Sequence, residues 1–457
     1  MNIHRRKFLT QTGGLTAAAM AGTLGGLGIE AAQAQSTSGY QALVCVFLFG
    51  GSDSNNMVIP NTDYALYAAT RTAASNVAIP QNQLLTFNAP SMGKSFGFHP
   101  SFTNLLPVYT AGKLAVIANT GTLVAPLTKA QYQAGQNRPL NLFSHSDQQD
   151  AFEGLLPLAP IRTGWAGRMA DKLLSVNAAA KIPTVVSVQG SQIFGSGNNT
   201  VALSIPTNGG INISGQATDA VSTARFNALS SLLVTGSSNV VMQSAADVMR
   251  LSLAANAAIN PVLTAALPPV ISTAFTVGGA QLNTNMAQQL KQVARLIEAR
   301  TALGVSRQVF FVGMGGYDTH TQTVQNQTTL FNQLAPALKA FYDYTAAAGI
   351  STSVTTFTMS DFNRTFIGNA NAGVDHAWGG HALVMGGAVK GGDIYGTWPD
   401  LTVKGPDDSG SNGAWIPTTA MDQVGGTLAK WFGIASSDID YMYPNLSRFA
   451  TRYLNFL

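Results

Sequence analysis

Several apolar runs along the chain predict strands that are buried on both faces. They are residues 42–49, 114–118, 185–188, 308–314 and 353–359. Continuous apolar runs of this kind are typical of the central strands of a parallel sheet, because strands with one exposed face alternate apolar and polar residues instead. Three of the runs are followed directly by Gly-Gly or Ser-Asp, which marks where each strand ends.

Helical patterns lie between these runs. Apolar residues recur every three or four positions in residues 286–300 and 329–348, and residues 245–259 are also predicted to be helical. Pro336 either kinks the second of these helices or marks its true start, and Pro261 is expected to close the third. Strands that alternate with amphipathic helices predict an α/β sandwich around a mostly parallel sheet.

Residues 190–285 differ in composition from the rest of the chain. They are rich in Gly, Ser, Asn, Ala and Thr and carry few charges, which predicts an insertion or cap with helical and irregular parts. No repeat of fixed period is visible. We therefore predict a single domain over residues 40–457 that contains this insertion, although the length alone would also permit two domains.

The chain opens with the pair Arg5 and Arg6, followed by Phe-Leu, a Gly/Ala-rich run and a small-x-small site at residues 32–34. This pattern predicts a twin-arginine signal peptide over residues 1–34, transport by the twin-arginine translocase, and a periplasmic or extracellular location. A membrane anchor is the alternative, but a span needs about 20 strongly apolar residues and this run is short and weakly apolar. No later segment resembles a membrane helix, so no stable membrane span is expected.

Charge and cysteine content exclude several classes of protein. The formal net charge of +4 falls to +2 in the mature chain, because residues 1–34 contain three basic side chains and one acidic one. No basic run is interleaved with aromatic residues, so we expect no nucleic-acid partner. The single cysteine, Cys45, rules out an intrachain disulfide and is predicted to be a buried strand residue rather than a nucleophile. The sequence gives no indication of an oligomer.

Acidic residues follow three of the predicted strands. Asp53 follows the first run, Asp318 the run at 308–314, and Asp361 the run at 353–359. Ligands of open α/β sheets bind beyond the carboxyl ends of the strands, so these side chains are expected to converge. Any one of them could be a helix N-cap, but three at one edge, in a chain with only 10% charged residues, favour a metal centre.

Histidines lie beside these acids. An extended backbone would place Asp318 and His320, two positions apart, on one face, as chelation requires. Asp375, His376 and His381 lie in a Gly-rich segment that is predicted to be a loop around the site. Carboxylate and imidazole ligands suit zinc, manganese or iron, so metal ligation is favoured over a purely structural loop.

Three further residues have two interpretations each. Ser144 precedes a helix predicted over residues 147–155 and is either a nucleophile or an N-cap. Arg364 either binds an oxyanion or pairs with a carboxylate. His99, before Pro100, is either functional or a structural cap.

The order and spacing of several motifs resemble the domain-of-unknown-function 1501 family, exported proteins related to the alkaline phosphatase and sulfatase superfamily. Besides the twin-arginine start, the motifs are Leu-Phe-Gly-Gly-Ser-Asp at 48–53, Ser-His-Ser-Asp at 144–147, Gly-Trp-Ala-Gly-Arg at 164–168, Gly-Gly-Tyr-Asp-Thr-His at 315–320, Ser-Asp-Phe-Asn-Arg-Thr at 360–365, Asp-His-Ala-Trp-Gly-Gly-His at 375–381 and Trp-Phe-Gly at 431–433. The resemblance covers nearly the whole mature chain except the segment around 195–285. It implies a three-layer, alkaline-phosphatase-like sandwich.

The resemblance also implies a hydrolase of phosphate or sulfate esters with two divalent ions, such as zinc, manganese or calcium. The implied ligands are Asp53, Asp375 and His376 for one metal and Asp318, His320 and His381 for the other. Asp361 would be a further ligand, although it stands where the family has the longer Glu. Ser144 would be the nucleophile, with Thr120 and Thr122 as rivals.

We therefore expect an exported metal-dependent hydrolase that acts on a small-molecule, polysaccharide or lipid ester. The alternative is a non-catalytic periplasmic binding or assembly protein that keeps the hydrolase fold, because the insertion is large and the nucleophile is uncertain. Many twin-arginine substrates are redox enzymes, but no cysteine cluster or dinucleotide fingerprint supports that third interpretation.

Overall fold

The fold is taken from a computed structural model that describes residues 39–212 and 219–457. The predicted signal peptide at 1–34 lies outside these residues. Within the two described ranges, no helix combines the length and apolarity that crossing a membrane requires.

Within the described residues, nine strands form the main sheet and five more form two small sheets. In chain order the strands are β1 (Gln41–Leu48), β2 (Val58–Pro60), β3 (Leu85–Ala89), β4 (Lys94–Phe98), β5 (Leu114–Gly121), β6 (Val185–Ser187), β7 (Leu203–Ser204), β8 (Thr276–Val277), β9 (Ala280–Gln281), β10 (Arg307–Met314), β11 (Val354–Ser360), β12 (Gly380–Gly386), β13 (Ile394–Tyr395) and β14 (Thr419–Ala420). The main sheet has the order β13-β5-β12-β11-β1-β10-β6-β7, with β14 beside β5. Only β12 runs antiparallel to its neighbours in this part of the chain, which confirms a mostly parallel sheet.

Helices connect and cover these strands. In chain order they are α1 (Tyr64–Arg71), α2 (Leu106–Thr110), α3 (Lys129–Gln133), α4 (His145–Gly154), α5 (Trp165–Lys172), α6 (Ala220–Val234), α7 (Val240–Thr264), α8 (Pro269–Ala274), α9 (Asn285–Glu298), α10 (Thr323–Ala347), α11 (Met421–Trp431) and α12 (Ser436–Met442). The predicted strands and the helix at 286–300 are therefore all present, as β1, β5, β6, β10, β11 and α9.

The structure excludes Pro336 as the start of its helix, and the expectation that Pro261 closes its helix was wrong. Helix α10 begins at Thr323, well before Pro336, and α7 continues past Pro261 to Thr264. Proline removes one helical hydrogen bond at a cost of about 3 kcal/mol. In α7 the buried residues Ile259 and Leu263 flank Pro261, and their packing outweighs that cost.

The two faces of the sheet are covered by different helices, because alternate residues of β1 point in opposite directions. Val44 packs in one buried cluster with residues of α9 and α10. Cys45 packs in another with residues of α5 and α11. Cys45 is fully buried, and burial raises the pKa of its thiol, so it is a core residue as predicted. Coverage of both faces explains why β1 has no polar alternation.

The segment 190–285 includes β7 to β9 and α6 to α8, and α6 and α7 form a helical hairpin. The end of this hairpin, residues 232–242, is called the hairpin tip below. Leu232, Val234, Val240, Val241 and Met242 in the tip each expose more than half of their surface. The tip is therefore an apolar surface in contact with solvent.

A buried acid in α11 is expected to make stability depend on pH. Burial raises the pKa of Asp422 to about 7, against the lowering effects of its own backbone N–H and of Arg168. The folded pKa exceeds the unfolded value of about 3.9, so this contribution to stability is complete below pH 4 and is lost as the pH rises to about 7. In urea unfolding, the free energy of unfolding of Asp422→Asn should depend less on pH over this range than that of the parent protein.

In Asp422→Asn the free energy of unfolding should still depend partly on pH, because burial raises the pKa of Glu153 to about 7 as well. Glu153→Gln is therefore the matched comparison, and the double variant should be flatter than either single one. An unchanged slope in Asp422→Asn would contradict the prediction.

Candidate metal centre

The loops after β1, β10 and β11 meet the start of α4 at the carboxyl edge of the main sheet. The β1 and β10 loops pack so closely that a Cβ atom on Gly50 would lie 2.6 Å from the backbone nitrogen of Asp318. Gly50 also has a φ of +105°, which other residues rarely adopt. Glycine at this position therefore allows Asp318 to reach the shared edge.

Three histidine rings converge on one oxygen of Asp318. The Oδ1 atom of Asp318 lies 3.1 Å from Nε2 of His320, 3.5 Å from Nε2 of His145 and 3.6 Å from Nε2 of His376. The Nε2 atoms of His320 and His376 are 3.0 Å apart. We call these four residues the histidine cluster. The predicted pairing of Asp318 with His320 on one face is confirmed.

Each ring is oriented by an acceptor at its other nitrogen. The three contacts are His145 Nδ1 to Asp361 Oδ2 at 2.7 Å, His320 Nδ1 to Asp375 Oδ1 at 2.9 Å, and His376 Nδ1 to the carbonyl oxygen of Phe143 at 2.7 Å. When each Nδ1–H donates to its acceptor, the Nε2 lone pairs face the cluster. Such an outer layer of acceptors is typical of metal-binding histidines.

Asp361 is fully buried behind His145. Its carboxylate also accepts hydrogen bonds from the backbone N–H of Gly50 and from Nε2 of Gln149 at 2.9 Å. These contacts use both of its oxygens. Asp361 is therefore a residue that positions His145.

Asp361→Asn tests this role. The amide removes the negative charge that holds Nδ1–H of His145, so we expect a 10- to 100-fold loss of zinc affinity, about the effect of losing such a support. Isothermal titration with zinc measures it. Gln149→Ala, which removes only a neighbour of the carboxylate, is the control and should change the affinity much less. Equal affinities in Asp361→Asn and the parent protein would contradict the prediction.

Arg364 is buried and pairs with a carboxylate. This pairing is one of the two alternatives that the sequence left open for it. Its Nη2 atom donates to Asp318 Oδ1 at 2.6 Å, and its Nε atom donates to the carbonyl oxygen of Gly51 at 2.8 Å. Nη2 also donates to the carbonyl oxygen of Gly50. Arg364 thus fixes the β1 loop and Asp318 relative to each other.

Electrostatics favour the charged acid and the neutral imidazole that a metal requires. Burial by itself raises the pKa of Asp318, but the hydrogen bond and positive charge of Arg364 outweigh it, and the net pKa is lowered. Burial, together with the charge of Arg364, lowers the pKa of His376. Asp318 is therefore ionised and His376 neutral near neutral pH.

The geometry of the cluster fits a divalent cation. Ligand atoms of a tetrahedral zinc ion lie about 3.3 Å apart, because zinc–nitrogen distances are about 2.0–2.1 Å. Four contacts within the cluster, at 3.0–3.6 Å, bracket this value, and the ligand atoms of His145, Asp318 and His376 all lie within 4.8 Å of one another. His145 Nε2 is buried and has no hydrogen-bond partner among the described residues. Nε2 lone pairs that face each other at such distances repel unless a cation or a ring proton lies between them.

The charges around the cluster also favour a divalent cation. Arg364 neutralises Asp318, which leaves Asp361 and Asp375 with two negative charges. A divalent cation would balance them. The side chains of Asp318 and His320 are 48% and 45% exposed, so the cluster is open to solvent on this side.

Two residues that the resemblance assigns as ligands lie in other environments. Asp53 is buried in an ion pair with Arg71, and it also accepts hydrogen bonds from Asn55. His381 lies in β12, not in the predicted loop, and its ring stacks on Trp398 with centroids 4.1 Å apart. The structure brings Asp318, His320, Asp361, Asp375 and His376 together, and these two residues face elsewhere.

The candidate hydroxyls also have partners. Ser144 is at the N-cap position of α4, but its hydroxyl donates to Asp147 Oδ2 at 2.5 Å. Thr120 and Thr122 are buried, and their hydroxyls donate to the carbonyl oxygen of Gly380 and to Gln148. Ser144 is the more accessible of the three.

His99 is a structural cap. Its Nδ1 atom accepts a hydrogen bond from the backbone N–H of Ser101 at 3.1 Å, and burial lowers its pKa to about 4.

His145 is the cluster member that sequence reasoning missed. In the sequence it stands out only as the neighbour of Ser144 in the Ser-His-Ser-Asp motif. A helix that begins at the carboxyl edge of a sheet presents its first side chains there, and this signal could have identified it.

Comparison with known proteins gives one family. The profile of the family described as "Protein of unknown function (DUF1501)" matches residues 40–413. We found no curated protein that matches the chain. The match covers most of the sequence and includes the histidine cluster with Asp361 and Asp375. The chain therefore belongs to the DUF1501 family.

Proposed function

We propose that the protein is an exported hydrolase of phosphate or sulfate esters that uses a divalent metal ion held by the histidine cluster. The observation that carries the proposal is the convergence of three imidazole Nε2 atoms on Asp318 Oδ1 at the carboxyl edge of the sheet. Export rests on the twin-arginine pattern at residues 1–34. A relationship to the alkaline phosphatase superfamily is part of the same proposal.

One ion is the number that the contacts support best. The resemblance implies two ions, one held by Asp53, Asp375 and His376 and the other by Asp318, His320 and His381. Asp53 is occupied by Arg71, and His381 accepts a hydrogen bond from the backbone N–H of Asn119. An ion bound at the cluster would polarise the ester and lower the pKa of the attacking group.

The residues of the chain would prepare the site for this ion. Asp361, Asp375 and the carbonyl oxygen of Phe143 hold the three rings in one orientation. Arg364 holds Asp318 in place and keeps it ionised. These contacts exist before any substrate arrives, so little reorganisation is needed on binding, and such preorganisation is a major source of catalytic power.

Ser144 is the proposed nucleophile. Its hydroxyl is more accessible than those of its rivals, it immediately precedes His145, and the ionised carboxylate of Asp147 accepts its hydrogen bond. Ser144→Ala should lower kcat for an aryl ester at least about 1,000-fold if the hydroxyl attacks. Ser146→Ala is the matched control, because it alters a serine in the first turn of the same helix. Unchanged turnover in Ser144→Ala would assign the attack to water.

The function itself is tested on the purified folded protein. Bound metal is measured by mass spectrometry, and aryl phosphate and aryl sulfate esters are assayed before and after chelation. We expect hydrolysis that is lost on chelation and restored by zinc, manganese or calcium. A metal-free protein that hydrolyses neither ester after any of these ions is added would end the proposal.

A second candidate is a non-catalytic binding or assembly protein that keeps this fold. The exposed apolar side chains of the hairpin tip favour it, because contiguous apolar surface often marks a protein contact. Asp318→Ala and His376→Ala separate the two candidates. If both variants keep the cellular phenotype, the non-catalytic role is supported. If they abolish both turnover of a defined ester and that phenotype, the non-catalytic role is excluded.

A further inference from the structure

A second feature lies at the same carboxyl edge of the main sheet as the candidate metal centre. A cleft of about 780 Å³ opens beyond the carboxyl ends of β6, β7 and β10. Ligand sites commonly measure about 300–1,000 Å³. Gly313 and Gly315 line the cleft, and Asp318 follows Gly315 by three residues, which is about 11 Å of chain at most. The Cα atom of Gly315 in the cleft is therefore within about 11 Å of that of Asp318.

The cleft has an unusual chemical character. Among the described residues, no charged side chain lines it. Its polar lining consists of neutral amides and hydroxyls, namely Gln189, Ser204, Thr207, Asn285 and Gln333. Apolar side chains such as Ile205, Met286 and Leu330 fill the spaces between them.

Two of these amides are held in place from the interior by Gln289, which is fully buried on α9. Gln289 exchanges two hydrogen bonds with the backbone of Gly313, at 2.9 and 2.7 Å. Its Nε2 atom has two hydrogens and shares them among the carbonyl oxygen of Gly313, Oε1 of Gln189 at 3.1 Å and Oδ1 of Asn285 at 2.5 Å. Both acceptor oxygens are thus engaged from one side.

This arrangement leaves two donors for a ligand. With their oxygens bound to Gln289, the NH₂ groups of Gln189 and Asn285 point away from it, and neither donates a hydrogen bond to any described residue. The NH₂ groups are donors that ligand oxygens can satisfy. Because one buried side chain orients both amides, the two donors keep a fixed spacing, which lowers the entropy cost of binding.

We propose that the cleft binds the uncharged, hydroxyl-rich part of the substrate, a neutral sugar chain. Fixed amide and hydroxyl groups recognise the hydroxyl and ring oxygens of sugars, and the apolar side chains between them contact the C–H faces. A charged moiety is disfavoured in the cleft, because no opposite charge would compensate for its lost hydration. That the cleft is part of a substrate site rests on the proposed function as an ester hydrolase. That it binds sugar does not depend on that function.

Binding of neutral oligosaccharides tests the proposal. Soluble β-1,4-glucan, α-1,4-glucan, β-1,3-glucan and mannan oligosaccharides are titrated into the full chain and followed by saturation-transfer NMR. We expect at least one to bind, and Gln189→Ala combined with Asn285→Ala to weaken its Kd about tenfold or more through two lost hydrogen bonds. Asn332→Ala, an exposed amide on α10 beside Gln333, is the matched control and should leave the Kd unchanged.

The same titrations on metal-free protein and on His376→Ala separate the cleft from the metal centre. Sugar binding that persists in both supports the cleft even if no ester is hydrolysed. The inference is overturned if no neutral oligosaccharide binds, if the double variant binds as well as the parent, or if sulfated oligosaccharides alone bind in the cleft. Any of these results leaves the hydrolase proposal standing, because esters are assayed separately.

Discussion

His376→Ala is expected to lower the affinity for zinc or manganese at least about 100-fold and to abolish metal-dependent hydrolysis. Loss of an outer support alone typically costs 10- to 100-fold in metal affinity, so loss of a direct ligand should cost more. His376 Nε2 lies 3.0 Å from His320 Nε2 and 3.6 Å from Asp318 Oδ1, so its removal opens one side of the cluster. Metal content by mass spectrometry and affinity by isothermal titration measure the effect.

His381→Asn is the matched control. The resemblance implies that His381 is a ligand, whereas the structure shows its Nδ1 atom accepting a hydrogen bond from the backbone N–H of Asn119. The amide oxygen of asparagine can accept that bond, so the local structure should survive. We expect this variant to bind metal like the parent protein. The opposite pattern, with metal lost in His381→Asn and kept in His376→Ala, would contradict the histidine cluster.

Metal protection gives a second readout of the same prediction. A metal that binds only the folded state raises the unfolding temperature as its concentration rises. The parent protein and His381→Asn should show this shift, and His376→Ala should lose most of it. The readout does not depend on knowing the substrate.

The fold was predictable from the sequence where burial leaves a simple pattern. Strands β1 and β10 are covered on both faces, so their residues are almost all apolar and their ends are sharp. The pairing of Asp318 with His320 was also predictable, because it follows from local geometry over three residues. Strand β12 was missed, since its Gly-rich start at Gly380 resembles a loop.

The partners of each polar residue depend on packing between distant segments, and the sequence does not show them. His145 belongs to the cluster because α4 packs against β11 and places the ring beside Asp361, 216 positions away. Asp53 turns inwards because α1 supplies Arg71. His145 and Asp53 both lie within motifs of the family resemblance, at 144–147 and 48–53. Their environments differ, because His145 lies beside the other members of the histidine cluster and Asp53 lies beside the cation of Arg71.

Asp53→Asn is expected to lower the free energy of unfolding by about 3–5 kcal/mol, the usual cost of leaving one charge of a buried ion pair without its partner. The side chains of Asp53 and Arg71 are both 0% exposed, so water cannot replace the lost charge. Arg71 would keep only carbonyl partners, among them Val77 and Phe366. Urea unfolding of the purified variant measures the loss.

The exposed pair of Asp63 and Lys94 provides the control, because both side chains are more than 40% exposed. Asp63→Asn should cost less than about 1 kcal/mol, as exposed ion pairs do. Combining Asp53→Asn with Arg71→Met should recover part of the loss, since the unpaired cation is then gone. The folded fraction of Asp53→Asn should bind metal like the parent protein, because Asp53 faces Arg71 and not the cluster. A variant of normal stability that has lost its metal would instead make Asp53 a ligand, and would restore the second metal position that the family resemblance implies.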